Sequence, residues 1–157
     1  MTARWRVDLL KWLRRSEPKE VPAASLGPLQ IVKPWARSSS SEADVAGGYM
    51  TVVNDGETDR LVSVSCPAAA SVDIHAIRVK GPVLEMRPME AGLVIPPANQ
   101  QILKPRGYHL LMRGLASPLT VGSKLPVTLV FETAGSVTVD FAVEAPGAVG
   151  HATLSSS

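Results

Sequence analysis

The sequence predicts an all-β domain, a sandwich or barrel of about eight short strands, and three observations predict it. Gly 12 and Pro 13 among 157 residues punctuate the chain about once in six positions, which favours many short strands over long helices. Hydrophobic residues make up 45% and charged residues 19%, with mean hydropathy +0.13, which excludes a disordered chain and a coiled coil. Two late runs alternate cleanly: Leu125, Val127, Leu129 and Phe131 share one face, and Val137, Val139, Phe141 and Val143 share a face of the next run. That period of two is the pattern of half-buried antiparallel strands.

The elements follow in order. In residues 1–15, Arg4, Arg6, Lys11, Arg14 and Arg15 stand against Asp8, a net of +4, so the remainder of this +2 chain is about −2. Trp5, Leu9, Trp12 and Leu13 fall on one stripe, which predicts a short basic amphipathic helix ending near Pro18. It either docks on the domain or makes weak contact with an anionic membrane surface. Residues 17–30 are rich in Pro, Ala and Ser and read as a linker, which sets the division at 1–28, 29–145 and 146–157. QIVKPWARS opens the domain as an edge-like strand, because Pro34 lacks a ladder donor. A polar loop, SSSSEAD, leads to GYMTVVN, where Asp55-Gly56 signals a hairpin into RLVSVSC. VDIHAIRVK and VLEMR flank Gly81-Pro82, LVIP and QQILK follow, and YHLLMRGL precedes the two alternating strands. The tail PGAVGHATLSSS is small and polar and reads as disordered.

Several function classes fall away. A single cysteine, Cys66, rules out an intrachain disulfide and the Cys-x-x-Cys motifs. Seven aromatic side chains give no stacking platform for nucleic acid, and the basic balance sits in the N-terminal segment. No run approaches 18 apolar residues, so no transmembrane helix is expected, and residues 1–20 hold no apolar stretch like that of a signal peptide. No P-loop, G-x-G-x-x-G, H-E-x-x-H or G-x-S-x-G occurs, and no local grouping marks a nucleophile, so an enzyme is not expected.

The soft donors cluster instead. His75, Met86, Met89, His109 and Met112 fall within 38 residues, and imidazole with thioether, without thiolate, suits Cu(I). Each alone has a plainer reading, a strand Met as core filler and a His as a surface or hydrogen-bonded residue.

The strings GGYMTVVNDGETDRLVSVSCPAAASVDIHAI, LEMRPMEAGLVIPPANQQILKPRGYHLLMRGL and PLTVGSKLPVTLVFETAGSVTVDFAV resemble the PCuAC-type periplasmic copper chaperones. The resemblance covers residues 29–144 and is most specific at the His followed by Met-Arg, at LKPRGYH and at VTLVFETAGSVTV. It implies a cupredoxin-like Greek-key β-barrel, one surface Cu(I), a periplasmic location, and delivery to the CuA centre of cytochrome oxidase or to another copper chaperone. It also implies a monomer. The resemblance carries the ligands onto His75, Met86 and His109. Its last ligand, a Met two positions beyond the second His, falls here on Leu111, and Met112 comes one place later. The Met that often follows the first His is here Ile77.

The shift matters because positions i and i+2 of a strand share a face, whereas i+3 points away. A β-bulge would turn Met112 toward His109. A regular strand would leave a three-coordinate site, His75–Met86–His109, with Met89 or a water nearby. Two other readings stand beside the copper chaperone. One is a binding or scaffold sandwich that kept the fold and lost the metal, suggested by Leu111 and Ile77. The other is a blue-copper electron carrier using Cys66, which its position at a strand end before Pro67 disfavours; a small buried hydrophobe fits Cys66 better.

Overall fold

The computed structural model describes residues 21–38 and 44–150. The expected N-terminal helix, most of the polar loop after Ser38 and the last residues of the tail lie outside them. Among the described residues there are eleven strands: β1 (Ala24–Leu26), β2 (Leu29–Ser38), β3 (Val45–Asn54), β4 (Asp59–Ser65), β5 (Ala69–Lys80), β6 (Val83–Pro88), β7 (Leu93–Ile95), β8 (Asn99–Leu103), β9 (His109–Leu115), β10 (Lys124–Phe131) and β11 (Gly135–Glu144). The all-β expectation holds for the described residues, but about eight strands was too few. β1 and β7 are three residues long, too short to show an alternation. Their neighbours' ladders define them, and β1 lies in the stretch that reads as linker.

The strands form one hydrogen-bonded path, β6-β5-β9-β3-β2-β11-β10-β4-β7, with β1 also on β2 and β8 also on β3. β3 pairs with β9 through Val45–Gly48 and with β8 through Met50–Asn54. β2 and β11 are parallel; the other pairs are antiparallel. β4 also packs against β5, and β7 against β8, so the path curls round a single core. Phe131, Phe141, Leu129, Leu61, Ile31 and Leu110 are among its fully buried side chains. Truncating either Phe to Ala removes about 3–5 kcal/mol by the usual cost of a large core cavity.

The β10–β11 hairpin bears out its alternation. Leu125 pairs with Phe141, Val127 with Val139 and Leu129 with Val137, and the turn closes at Gly135, whose φ of 99° favours glycine. Asp59 anchors that turn from β4: its carboxylate oxygens accept hydrogen bonds from Thr133 N at 2.8 Å and Ala134 N at 2.9 Å.

Two local expectations are corrected. β2 is an internal strand, not an edge. Pro34 is tolerated because the register with β3 shifts between Val32 and Trp35, where Lys33 has a φ of 51°. The missing donor therefore falls in an irregularity and not in a ladder. The Asp55-Gly56 signal does not make a hairpin either, since β3 and β4 do not pair. The buried Asn54 redirects the chain there. Its Oδ1 accepts from Gly56 N at 2.8 Å, and its Nδ2 donates to Glu57 O at 2.8 Å and to Pro96 O at 3.2 Å. An Asx turn takes the place of a two-residue hairpin turn. Asn54→Ala should destabilise the domain by about 2–3 kcal/mol, because it leaves buried backbone groups without partners. Equilibrium denaturation measures this, and a loss under about 0.5 kcal/mol, the scatter of ordinary surface changes, would contradict it.

Candidate metal centre

The candidate site lies on β5, β6 and β9, on the sheet face turned away from the core. Directly opposed residues of antiparallel strands share a face. His75 of β5 opposes His109 of β9, Asp73 opposes Leu111, and Ile77 opposes Met86 of β6. The alternate positions Ile74, Leu110 and Met112 belong to the core. The two imidazole rings stand with centroids 5.7 Å apart and planes tilted by 34°. Although they lie on the outer face, they are only 5% and 6% exposed.

Their protonation follows from the surroundings. His109 Nδ1 lies 2.9 Å from Gly107 O. A carbonyl only accepts, so Nδ1 carries a proton toward it, and in the neutral ring the lone pair is on Nε2. His75 Nδ1 is buried and has no hydrogen-bond partner. Burial holds the His75 pKa below 6.5, the adjacent His109 and Arg113 lower it further, and Asp73 pulls it partly back. A neutral imidazole with an unused lone pair can ligate a metal, and an imidazolium cannot.

Met86 supplies a thioether beside them. It is 50% exposed and lines a hollow of about 310 Å³ with His109, Leu111, Tyr49, Gly47 and Arg37. Tyr49 in that lining packs on Trp35, with ring centroids 4.5 Å apart, and the Arg37 guanidinium lies 5.6 Å from the Tyr49 ring centre. Arg37 Nη1 also donates to Ala148 O, so the segment after β11 is tied to this lining. Gly47 is required here: a Cβ would overlap the Tyr49 hydroxyl. Sequence reasoning missed Arg37, Gly47, Trp35 and Tyr49. Only the paired glycines before Tyr49 carried a signal, a close approach within a strand.

Of the expected ligands, His75, His109 and Met86 share this face. Met112 is a correction. β9 runs from His109 to Arg113 against β5 with no register shift, so no bulge turns the side chain. Met112 is fully buried in the core, with Cε 3.0 Å from where a Gly48 Cβ would stand. Leu111 takes the position beside His109 and lines the same hollow. Met89 packs against the core and lines a different hollow with Arg78, Arg87 and Pro88. Cys66 is a buried core residue, in line with its structural reading. Among the described residues no three His, Cys, Asp or Glu side chains form a metal-holding group, and Met86 is the soft side chain beside the two histidines.

The His75 pair makes stability sensitive to acid. Its folded pKa lies below its unfolded 6.5, so in the window between them the unfolded chain binds a proton that the folded domain does not. Stability is therefore full above about pH 6.5 and is lost as the pH falls through that window. His75→Gln should flatten this loss in denaturation midpoints measured between pH 7.5 and pH 5; an unchanged slope would show that the ring is not desolvated.

The sequence profile of the family described as "Putative lipoprotein LpqE-like" matches residues 29–143. A protein of Leifsonia xyli subsp. xyli, described as "Putative lipoprotein Lxx21020", is 30% identical over 112 residues, 71% of this chain and 67% of its own. The copper-bound PCuAC domain from PmoF2 is 33% identical with a TM-score of 0.66, over 78% of this chain and 97% of that domain. The apo PCuAC domain from PmoF1 is 30% identical, with the same TM-score, over 78% and 98%. The CuI form of DR1885 from Deinococcus radiodurans, 22% identical with a TM-score of 0.57 over 83% and 84%, shares the fold. These likenesses agree with the PCuAC resemblance read from the sequence, and the profile match over most of the chain makes the assignment: this protein belongs to the LpqE-like family.

Proposed function

We propose that this domain binds one Cu(I) through the imidazoles of His75 and His109 and the thioether of Met86, and hands it to a copper-accepting protein such as a CuA-type oxidase subunit. The observation that carries this reading is the cross-strand pair of buried histidines, with His75 held toward neutrality, beside a half-exposed methionine. The donor set is soft and lacks carboxylate and thiolate, which suits Cu(I) over Zn²⁺ or hard cations. The copper-bound PmoF2 domain, 33% identical, supports it. Copper is cargo here, and no bond chemistry on a substrate is required. The lipoprotein descriptions of the family and of the Leifsonia protein support work outside the cytoplasm, in keeping with the periplasmic expectation.

One observation favours a second reading, a metal-free scaffold. Leu111 stands where a second thioether would complete the set, and Met112 is spent on the core.

Competition with a Cu(I) chelator under reducing conditions separates the two. Met86→Leu, which keeps volume but removes sulfur, should weaken binding about tenfold or more, a loss of at least about 1.4 kcal/mol. His75→Ala and His109→Ala should do at least as much. Leu111→Met should tighten binding, and Met112→Leu and Cys66→Ala should leave it unchanged. If the wild-type chain takes up no Cu(I), the scaffold reading replaces the chaperone.

The two methionine outcomes also test the strand geometry. A Met112→Leu variant that loses copper as Met86→Leu does would mean that β9 carries a bulge in solution.

A further inference from the structure

The β5–β6 hairpin leaves the site and extends its face outward. Beyond His75–Pro88, the next pair on the same side is Ile77–Met86, and then Val79–Leu84. These are apolar and increasingly open: Met86 is 50%, Leu84 56% and Val79 70% exposed. Four of the ten exposed large hydrophobic side chains among the described residues, Val79, Val83, Leu84 and Met86, fall in this one hairpin. All six residues of β6 are exposed, and β6 ends the strand path, so among the described residues one of its backbone edges has no strand partner. Gly81, with φ of 63°, and Pro82 form a two-residue loop of the type II′ kind, which needs a positive φ at its first position.

An exposed apolar ladder costs solubility and aggregation resistance unless it is used. The charges say what it fits. On residues 78–87, Arg78, Lys80 and Arg87 stand against Glu85, a net of +2, and these alternate positions lie on the hairpin's other face, so they act on a partner through their field and not by contact with the ladder. Next to Ile77 lies an open hollow of about 470 Å³, whose lining includes Ile102, Gln100, Gln101, Tyr108 and a further cation, Lys104. A second copy would set one basic hairpin against another, which like charges disfavour.

We propose that the Ile77–Met86 and Val79–Leu84 ladder is the surface on which the copper-accepting protein docks, and that this partner presents an apolar centre within an acidic rim. The proposal rests on the copper reading above and adds to it. A protein seated there covers Met86, the most exposed of the three donors, and excludes water from the transfer path. Lys104 in the adjoining hollow meets its rim, and the net positive charge of the hairpin, Arg78 and Lys80 included, speeds the encounter, which makes docking salt-sensitive.

The test titrates the ¹⁵N-labelled full chain, without copper, with the soluble CuA domain of a cytochrome oxidase subunit. Amide shifts should move on residues 77–87 and 102–104 and weaken as salt rises. Val79→Ser with Leu84→Ser, and separately Arg78→Glu with Lys80→Glu, should each weaken docking about tenfold or more. Both pairs lie at exposed hairpin positions, and chelator competition should show their Cu(I) affinity unchanged. Shifts absent or confined to other strands would overturn the proposal. So would loss of copper affinity in the Val79/Leu84 variant, since the hairpin would then be part of the metal site. Concentration-dependent self-association abolished by Val79→Ser with Leu84→Ser would reassign the face to a second copy. Salt-sensitive binding to phosphatidylglycerol vesicles through the same residues would reassign it to a membrane. A chain that takes up no Cu(I) yet docks through these residues would sink the copper reading and leave the docking surface standing.

Discussion

The structure depends on one register, the antiparallel pairing of β5 with β9 that sets His75 directly opposite His109. Everything at the site follows from it. Side chains alternate along a strand, so slipping this pair by one residue would oppose a histidine with a core residue. The register is held from the other side of the sheet, where Ile74 and Leu110 face each other in the core. Burial of those apolar groups is worth roughly 1.5–3 kcal/mol per side chain, far more than any gain from pairing two imidazoles. The core therefore pays for an outer-face arrangement that on its own is unfavourable: a polar ring nitrogen, His75 Nδ1, buried with no partner.

That arithmetic explains which parts of the molecule were legible in the sequence. The β10–β11 hairpin was, because Leu125 to Val143 alternate on a surface with one dry face and one wet face. His75, Met86 and His109 were legible as a set of soft donors, and the strand alternation explains why they share a face with Leu111 and not with Met112. The two outcomes for Met112 could be written down from sequence, but choosing between them needed the register. No residue between His109 and Arg113 announces the absence of a bulge. The short strands β1 and β7 were illegible for a simpler reason, since three residues cannot display a period. Asp55-Gly56 misled because local turn chemistry is shared: the same Gly that permits a hairpin also serves an Asx turn, and the buried Asn54 decides between them through contacts with Pro96, 42 positions away. Tyr49, Trp35 and Arg37 stayed hidden because their meeting depends on the β2–β3 pairing and on the bulge at Lys33 that turns Trp35 outward.

Met112 illustrates how one residue can satisfy only one demand. Its side chain fills space against Gly48 and Val72's strand, and a thioether suits an irregular gap. A bulge that brought it to the outer face would empty that space and break the β5–β9 ladder just where the histidines need it. The register that makes the histidine pair thus forbids Met112 from joining it, and leaves position 111, occupied by Leu, on the face beside His109.

The distribution of exposure across the three donors bears on how such a site would release its cargo. The two imidazoles are almost wholly buried on neighbouring strands and are held by backbone pairing; His109 is further fixed by its bond to Gly107. Met86 sits on an edge strand with every residue exposed, and its side chain is half exposed. A bound soft ion would then have a rigid side and a loose side. Ligand exchange proceeds most easily where one donor can leave without disturbing the fold, and only the methionine meets that condition. It is also the donor that adjoins the apolar hairpin. An acceptor seated on Val79 and Leu84 would meet the loose side first, and could replace the thioether before either histidine had to move. The edge position of β6, a liability for solubility, would give the proposed site a direction of transfer.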